Sequence, residues 1–176
     1  MTRHLRIALR SGTPGDVPRI HSLIEDNLHG GRLLPRELGE LVFRSSRFVV
    51  AVHRHSMVGC AELAPLSRNV AEVRSLVVDR RVRGKGIGAM LVEELQQQAQ
   101  RDAYSQLGAF THAPEYFAKL GFSVVPHSWL PARISMNGSG YSRGGSCGRF
   151  AMVMSLEAAF AAMEHRAPAT SPHIWL

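Results

Sequence analysis

The sequence predicts one α/β domain on a mixed, mainly antiparallel sheet, and three observations carry that prediction. β-rich runs alternate with runs of helical spacing along the chain; one such run passes straight into a glycine-punctuated loop and a helix; and 176 residues suit one domain at roughly 100 to 200 residues each. The composition, 45% hydrophobic and 20% charged, matches a soluble globular chain and excludes disorder as the main state.

Arg6 to Leu9 alternates as a first strand, and Thr13-Pro14-Gly15-Asp16 reads as a turn into a helix. That helix carries Val17, Ile20, Leu23, Ile24 and Leu28 at helical spacing, and Gly30-Gly31 ends it. A second short helix holds Leu38, Leu41, Val42 and Phe43. Phe48 to His53 and Met57 to Leu63 are spaced as a hairpin around Arg54-His55-Ser56, and Glu72 to Val78 is a third β-rich run. After Asp79 come the loop Arg83-Gly84-Lys85-Gly86-Ile87-Gly88 and a helix with Met90, Leu91, Glu94, Leu95 and Gln98 in register. Leu107 to Thr111 is a short strand, Pro114 to Leu120 a short helix, and Phe122 to Val125 and Ala151 to Leu156 the last strands. The Gly/Ser-crowded stretch 137–148 is a loop. There is no repeat or linker, so 1–156 form the domain and 157–176 a C-terminal helix or tail, expected to be partly disordered.

The 21 basic side chains, almost all arginine, outnumber 14 acidic ones for a net charge of +7. No acid occurs between Glu115 and Glu157, an interval that holds Lys119, Arg133, Arg143 and Arg149, so this half attracts anions. A nucleic-acid module would interleave basic residues with exposed aromatics, but aromatics are only 7% and form no stripe. No stretch has the roughly 18 to 20 apolar residues of a membrane helix and no signal-peptide block opens the chain, so a cytoplasmic, membrane-free protein is expected. Cys60 and Cys147 are too few for a disulfide framework and lack zinc-site spacing, so no metal is expected.

A glycine loop entering a helix exposes unpaired N–H groups beside the positive end of the helix dipole, where phosphate oxygens can sit. The spacing fits neither the P-loop nor the dinucleotide fingerprint. Glycines at 84, 86 and 88 with Arg83 and Lys85 between them favour a diphosphate held by amides and cations together.

Arg83-x-x-Gly86-x-Gly88, preceded by Ser75-Leu76-Val77-Val78-Asp79, resembles the signature of the GNAT N-acetyltransferase superfamily, and Tyr116-Phe117-Ala118-Lys119-Leu120-Gly121-Phe122 resembles its second hallmark. The resemblance spans roughly 5–156. It implies the GNAT fold, with helices on both faces of the sheet and a splayed central strand pair, acetyl-CoA as co-substrate, and a possible homodimer. It further implies that Leu76, Val77 and Val78 offer backbone groups to the pantetheine arm and an amide to the thioester carbonyl. Arg83, Gly84, Lys85, Gly86, Ile87 and Gly88 would hold the diphosphate, with Phe117 packed near the cofactor.

Three further segments are similar to the short, single-domain bacterial N-acetylglutamate synthases: Gly31-Arg32-Leu33-Leu34-Pro35-Arg36; Ala109-Phe110-Thr111-His112-Ala113-Pro114-Glu115-Tyr116-Phe117; and Leu130-Pro131-x-Arg133-Ile134 through Cys147-Gly148-Arg149-Phe150-Ala151-Met152. The third departs from the group, with Gly138 and Tyr141 where cysteines are usual and Asn137 where an acid is common. The implied reaction is direct acetylation of L-glutamate, opening arginine biosynthesis; the alternatives are another amine acceptor or a degenerate acetyl-CoA-binding regulator. Glutamate has two carboxylates, which bidentate arginines suit. Alternation places Glu72, Arg74, Leu76 and Val78 on one strand face, so Glu72 and Arg74 can both meet the reaction centre. Glu72 is the expected base, at the position where several superfamily members place a glutamate, and His112 is the second candidate because its neutral form is populated at physiological pH. Arg36, Arg74 and His112 are the expected acceptor ligands, with Arg133 and Arg149 behind them. No general acid is named, because Phe117 stands where many relatives have tyrosine and Tyr116 points about 100° away on a helix.

Overall fold

The computed structural model describes residues 6–28, 33–130 and 149–156. The order is β1 (Ile7–Ser11), α1 (Val17–Glu25), α2 (Leu38–Arg44), β2 (Phe48–His53), β3 (Ser56–Pro65), β4 (Val70–Val78), α3 (Ile87–Arg101), β5 (Gln106–Thr111), α4 (Pro114–Lys119), β6 (Ser123–Val125) and β7 (Phe150–Ser155). These are the elements expected from the sequence, in the expected order. β3 and β4 run longer than their apolar cores suggest because a tight turn joins them. The Leu66 and Ser67 amides donate to the Val70 carbonyl at 2.9 and 3.0 Å, and the Ser67 hydroxyl accepts from the Val70 amide. The expected tail, 157–176, and the loop 137–148 lie outside the described residues.

The seven strands form one sheet in the order β1-β2-β3-β4-β5-β7-β6, in which β4 and β5 are the parallel pair and the other neighbours are antiparallel. Helix α3 makes the long crossover that a parallel pair requires.

Two apolar layers hold the sheet. On one face α3 buries Ile87, Leu91, Val92, Leu95 and Ala99, and α4 buries Phe117, against Val49, Ala61, Val73 and Leu107. On the other face Val17, Ile20, Leu23 and Ile24 of α1 and Leu41 of α2 pack on Phe48, Val50, Cys60 and Val77. Burial of one such side chain stabilises by about 1.5–3 kcal/mol, so helical spacing over α1 and α3 is enough to seat both helices. Among the described residues no helix is long and apolar enough to cross a membrane, and no group of three or more His, Cys, Asp or Glu is placed to hold a metal ion.

Candidate functional site: a cleft at a splayed strand pair

The parallel ladder between β4 and β5 is short. It joins Val70 to Gln106, Ala71 to Leu107 and Glu72 to Gly108, and the rest of β4 then diverges from β5. Backbone groups past Glu72 therefore lack a strand neighbour on that side, and a cleft of about 720 Å³ opens there.

A β-bulge in β4 shapes the cleft wall. Arg74 is opposite Glu62 and Val77 is opposite Cys60, so Ser75 and Leu76 together face the single residue Ala61. Ser75 has φ +49°, in the left-handed region that a side chain disfavours. The bulge corrects the expected strand faces. Ala71 and Val73 pack on the α3 side, yet so do Leu76 and Val78, whereas Val77 joins the α1 side. Glu72 and Arg74 therefore share one face while Leu76 and Val78 occupy the other, because the extra residue inverts the alternation.

The glycine loop closes one end of the cleft. Gly86 caps α3 in the left-handed conformation (φ +79°) with no side-chain cap, and Gly84 is likewise at φ +74°, so the first amides of α3 are left for a ligand. Asp79 braces the turn below them by accepting from the Arg81 amide and guanidinium, and those bonds hold its carboxyl at about 2. Arg83 donates to Asn27 Oδ1 and, at 3.0 Å, to the Val78 carbonyl; Arg80 donates to the Asp26 carbonyl at 3.0 Å. The end of α1 thus aligns both arginines beside the loop. Asn27, which lines the cleft, has no signal in the sequence, since its partner Arg83 is 56 residues away in the chain.

Tyr116 also lines this end. A Cβ at Gly88 would lie 2.5 Å from the Tyr116 hydroxyl, so the absence of a side chain at 88 makes room for that ring. Burial pushes the phenol above its ordinary value, which keeps it protonated and able to donate at neutral pH. Phe117 lies beneath, edge-on to both Tyr116 and Phe122.

At the other end five charged side chains meet. Glu62 is fully buried, accepts from Arg36 Nη1 at 2.8 Å and lies 3.8 Å from Arg44. Arg36, 6% exposed, also donates to the Ser75 hydroxyl at 2.8 Å and to both Glu40 oxygens at 3.1 Å. Burial opposes its charge, but Glu62 and Glu40 outweigh that and raise its pKa. Arg74 differs, for its side chain makes neither a hydrogen bond nor an ion pair with any described residue. Burial lowers its pKa, with Arg36 and Arg44 pressing the same way against Glu62 and Glu40. A guanidinium cannot shed its proton in this range, so Arg74 is a charged, partly desolvated group facing the cleft and suited to an anion. The Cys60 thiol, buried behind the bulge, is pushed up to about 12 by burial and stays a thiol.

The structure brings most of the expected site residues to one cleft: Leu76, Val77, Val78, Arg83, Gly84, Gly86, Ile87, Gly88, Phe117, Arg36, Arg74 and His112 all line it, as does Arg149. Lys85 and Glu72 are not on its wall. Lys85 is exposed beside the loop, and Glu72, 1% exposed, sits at the last rung where β4 and β5 are still paired. Arg133, Gly138, Tyr141 and Cys147 lie outside the described residues. Glu62 and Ser75 escaped the sequence reading. An acid within the apolar run Met57 to Leu63 was the available signal for Glu62, whereas nothing local marks Ser75 as a bulge.

Residues 44–124 match the acetyltransferase (GNAT) domain family. An amino-acid acetyltransferase of Mycobacterium tuberculosis is 31% identical over 135 residues, 75% of this chain and 77% of the relative. An uncharacterised N-acetyltransferase of Chlorobaculum tepidum is 25% identical over 84% of this chain and 96% of its own length. Among solved structures, a Mycobacterium tuberculosis protein in complex with CoA and NLQ superposes with TM-score 0.71 at 26% identity, over 84% of this chain and 98% of the other. N-acetylglutamate synthase from Neisseria gonorrhoeae, complexed with coenzyme A and N-acetyl-glutamate, superposes with TM-score 0.76 at 26% identity, covering 86% of this chain but 35% of the synthase.

Proposed function

We propose that this chain, which belongs to the GNAT acetyltransferases, transfers the acetyl group of acetyl-CoA directly to the amino group of L-glutamate. The observation that carries the acceptor reading is Arg74, a cleft-facing cation without a partner among the described residues. The likeness to an amino-acid acetyltransferase and to a synthase solved with N-acetyl-glutamate supports the same choice.

The residues present fit the donor. The uncapped α3 amides and Arg83 suit a diphosphate, and the open edge of β4 suits an extended pantetheine arm running toward the bulge. Bound acetyl-CoA supplies an activated thioester. A backbone amide in Leu76–Val78 polarises its carbonyl, an interaction that strengthens as negative charge develops on the oxygen. The Val78 carbonyl, already taken by Arg83, leaves the other groups of the segment for the arm. Arg74 holds an acceptor carboxylate, with His112 at the rim, so the amine is oriented toward the carbonyl carbon. Glu72 takes the ammonium proton through an intervening water, since its carboxylate is behind the cleft wall. The departing thiolate needs no side-chain acid, because a thiol is acidic enough to leave as its anion.

The test is CoA release from acetyl-CoA by the purified chain across free amino acids, polyamines and peptides, with products identified by mass. Selective N-acetylglutamate is the expected result. Turnover with another amine overturns the acceptor, and binding of acetyl-CoA without turnover favours a regulator.

Two substitutions probe the parts separately. Glu72→Gln is expected to lower kcat about 10²-fold or more, the usual worth of general-base catalysis, with acetyl-CoA affinity unchanged; unchanged kcat removes Glu72 from proton transfer. Gly88→Ala is expected to displace Tyr116 and raise the KM for acetyl-CoA about 5- to 10-fold, a loss of the size of one hydrogen bond. Adding Tyr116→Phe should recover part of that loss by removing the clashing oxygen. If the double variant is no better than Gly88→Ala, the 2.5 Å approach is not what requires glycine at 88.

A further inference from the structure

We propose that Arg36 is a positioning residue for the β4 bulge, anchored by buried Glu62 and acting through the Ser75 hydroxyl, rather than a ligand of the acceptor. The proposal rests on the reading that the bulged segment supplies the amide to the thioester carbonyl.

Four of the five guanidinium N–H groups of Arg36 are committed inside the protein. Its Nη1 bridges Glu62 Oε2 and Ser75 Oγ, each at 2.8 Å, while Nε and Nη2 grip both oxygens of Glu40. A carboxylate gripped by two of its donors would have to displace Glu40 or Glu62, and a displaced Glu62 would stay buried without its closest cation. Arg74, with its donors unused among the described residues, is the better anion site.

Ser75 needs such a hold. A side chain at φ +49° persists only where its surroundings over-determine it, and the bulge is where the backbone amide must be aimed. Arg36 fixes Ser75 from the side opposite the backbone, and Cys60 Sγ lies 3.8 Å from the Ser75 carbonyl. Glu62 is on β3, one strand over, at the rung just before the bulge, so the pair ties two strands and the chain entering α2 to a single strained residue. Leu33 and Leu34, three and two residues before Arg36, line the same cleft, so the segment that borders the acceptor is also coupled to the amide.

The experiment compares Ser75→Ala, Ser75→Gly, Arg36→Lys and the Arg36→Lys/Ser75→Gly double variant by steady-state kinetics and by slow acetyl-CoA hydrolysis without amine. Ser75→Ala loses the hydroxyl but keeps a Cβ in the left-handed conformation, and kcat is expected to fall about tenfold, a fraction of the effect of losing an oxyanion donor. Ser75→Gly also loses the hydroxyl but adopts that conformation freely, and should retain kcat within about threefold. Arg36→Lys should lower kcat about tenfold with glutamate KM within about twofold, since an ammonium cannot span Glu40, Glu62 and Ser75 together. It should cost little more in the Ser75→Gly background. The proposal is overturned if Arg36→Lys raises glutamate KM with kcat intact. It is equally overturned if all variants melt lower with unchanged kinetics, or if Ser75→Gly is as damaged as Ser75→Ala. Hydrolysis separates the two readings: an unmodified chain that hydrolyses acetyl-CoA but ignores glutamate loses its acceptor assignment, while the same ranking of variants in hydrolysis still supports the latch. An unmodified chain inactive in both reactions removes the amide's role and the proposal with it.

Discussion

Replacing Arg74 with alanine is expected to raise the glutamate KM by about 10- to 100-fold, with the KM for acetyl-CoA within about twofold. A charge-assisted hydrogen bond contributes about 1.5–3 kcal/mol, which corresponds to that range of affinity. The companion measurement is thermal stability. Arg74 is a half-buried cation with no ion-pair partner among the described residues, and desolvation is the largest influence on it, so its removal relieves desolvation and repulsion from Arg36 and Arg44 against the loss of attraction to Glu62 and Glu40. The melting temperature should therefore hold or rise. A variant that loses activity toward every amine alike and melts well below the parent would make Arg74 a structural residue, and the reading of the cleft as an anion site would fail.

Replacing Glu62 with alanine is expected to have the opposite profile, a large loss of stability. Glu62 is fully buried and its partner Arg36 is nearly so; removing one member of a buried pair strands the other charge and typically costs about 3–5 kcal/mol. For a domain of this size that is a fall of about 10 °C or more in melting temperature. Arg44, 3.8 Å from Glu62 and partly exposed, can turn to water, but Arg36 cannot without leaving Ser75 and Glu40. A urea melt of the purified variant decides the matter. A loss below about 1 kcal/mol, the range of a surface pair, would mean that Glu40 alone is enough for Arg36.

The two substitutions act on neighbours across one rung of the sheet, Glu62 opposite Arg74, with effects of different kind. The difference comes from how the charges are shared. Glu62 is committed to Arg36, and Arg74 is left over as a cation at the edge of the cleft. A sequence cannot express that division, since residues 36, 62 and 74 meet only after α2 has docked on the sheet.

Much of the architecture was local enough to read. Helical spacing from Val17 to Leu28 and from Met90 to Gln98 gave α1 and α3, because a period of 3.6 residues is imposed by the backbone itself and fills one face at a time. The glycines at 84 and 86 marked the loop that enters α3 for an equally local reason: both adopt positive φ, which glycine does at no steric cost. His112 and Phe117 followed from their place beside recognisable motifs, and both line the cleft.

What the sequence determined by itself is therefore the set and order of elements and the loop that enters α3, both governed by short-range periodicity and backbone preference, while many of the residues that line the cleft were named through resemblance to a known family. Tertiary structure alone decided the bulge at Ser75, the faces taken by Glu72, Arg74, Leu76 and Val78, and which arginine is ion-paired and which is without an ion pair among the described residues. The bulge arises from how β4 registers against β3, an interaction between strands that leaves no mark in either strand's alternation. The charges were sorted by burial and distance, and those quantities exist only once the helices have closed over the sheet.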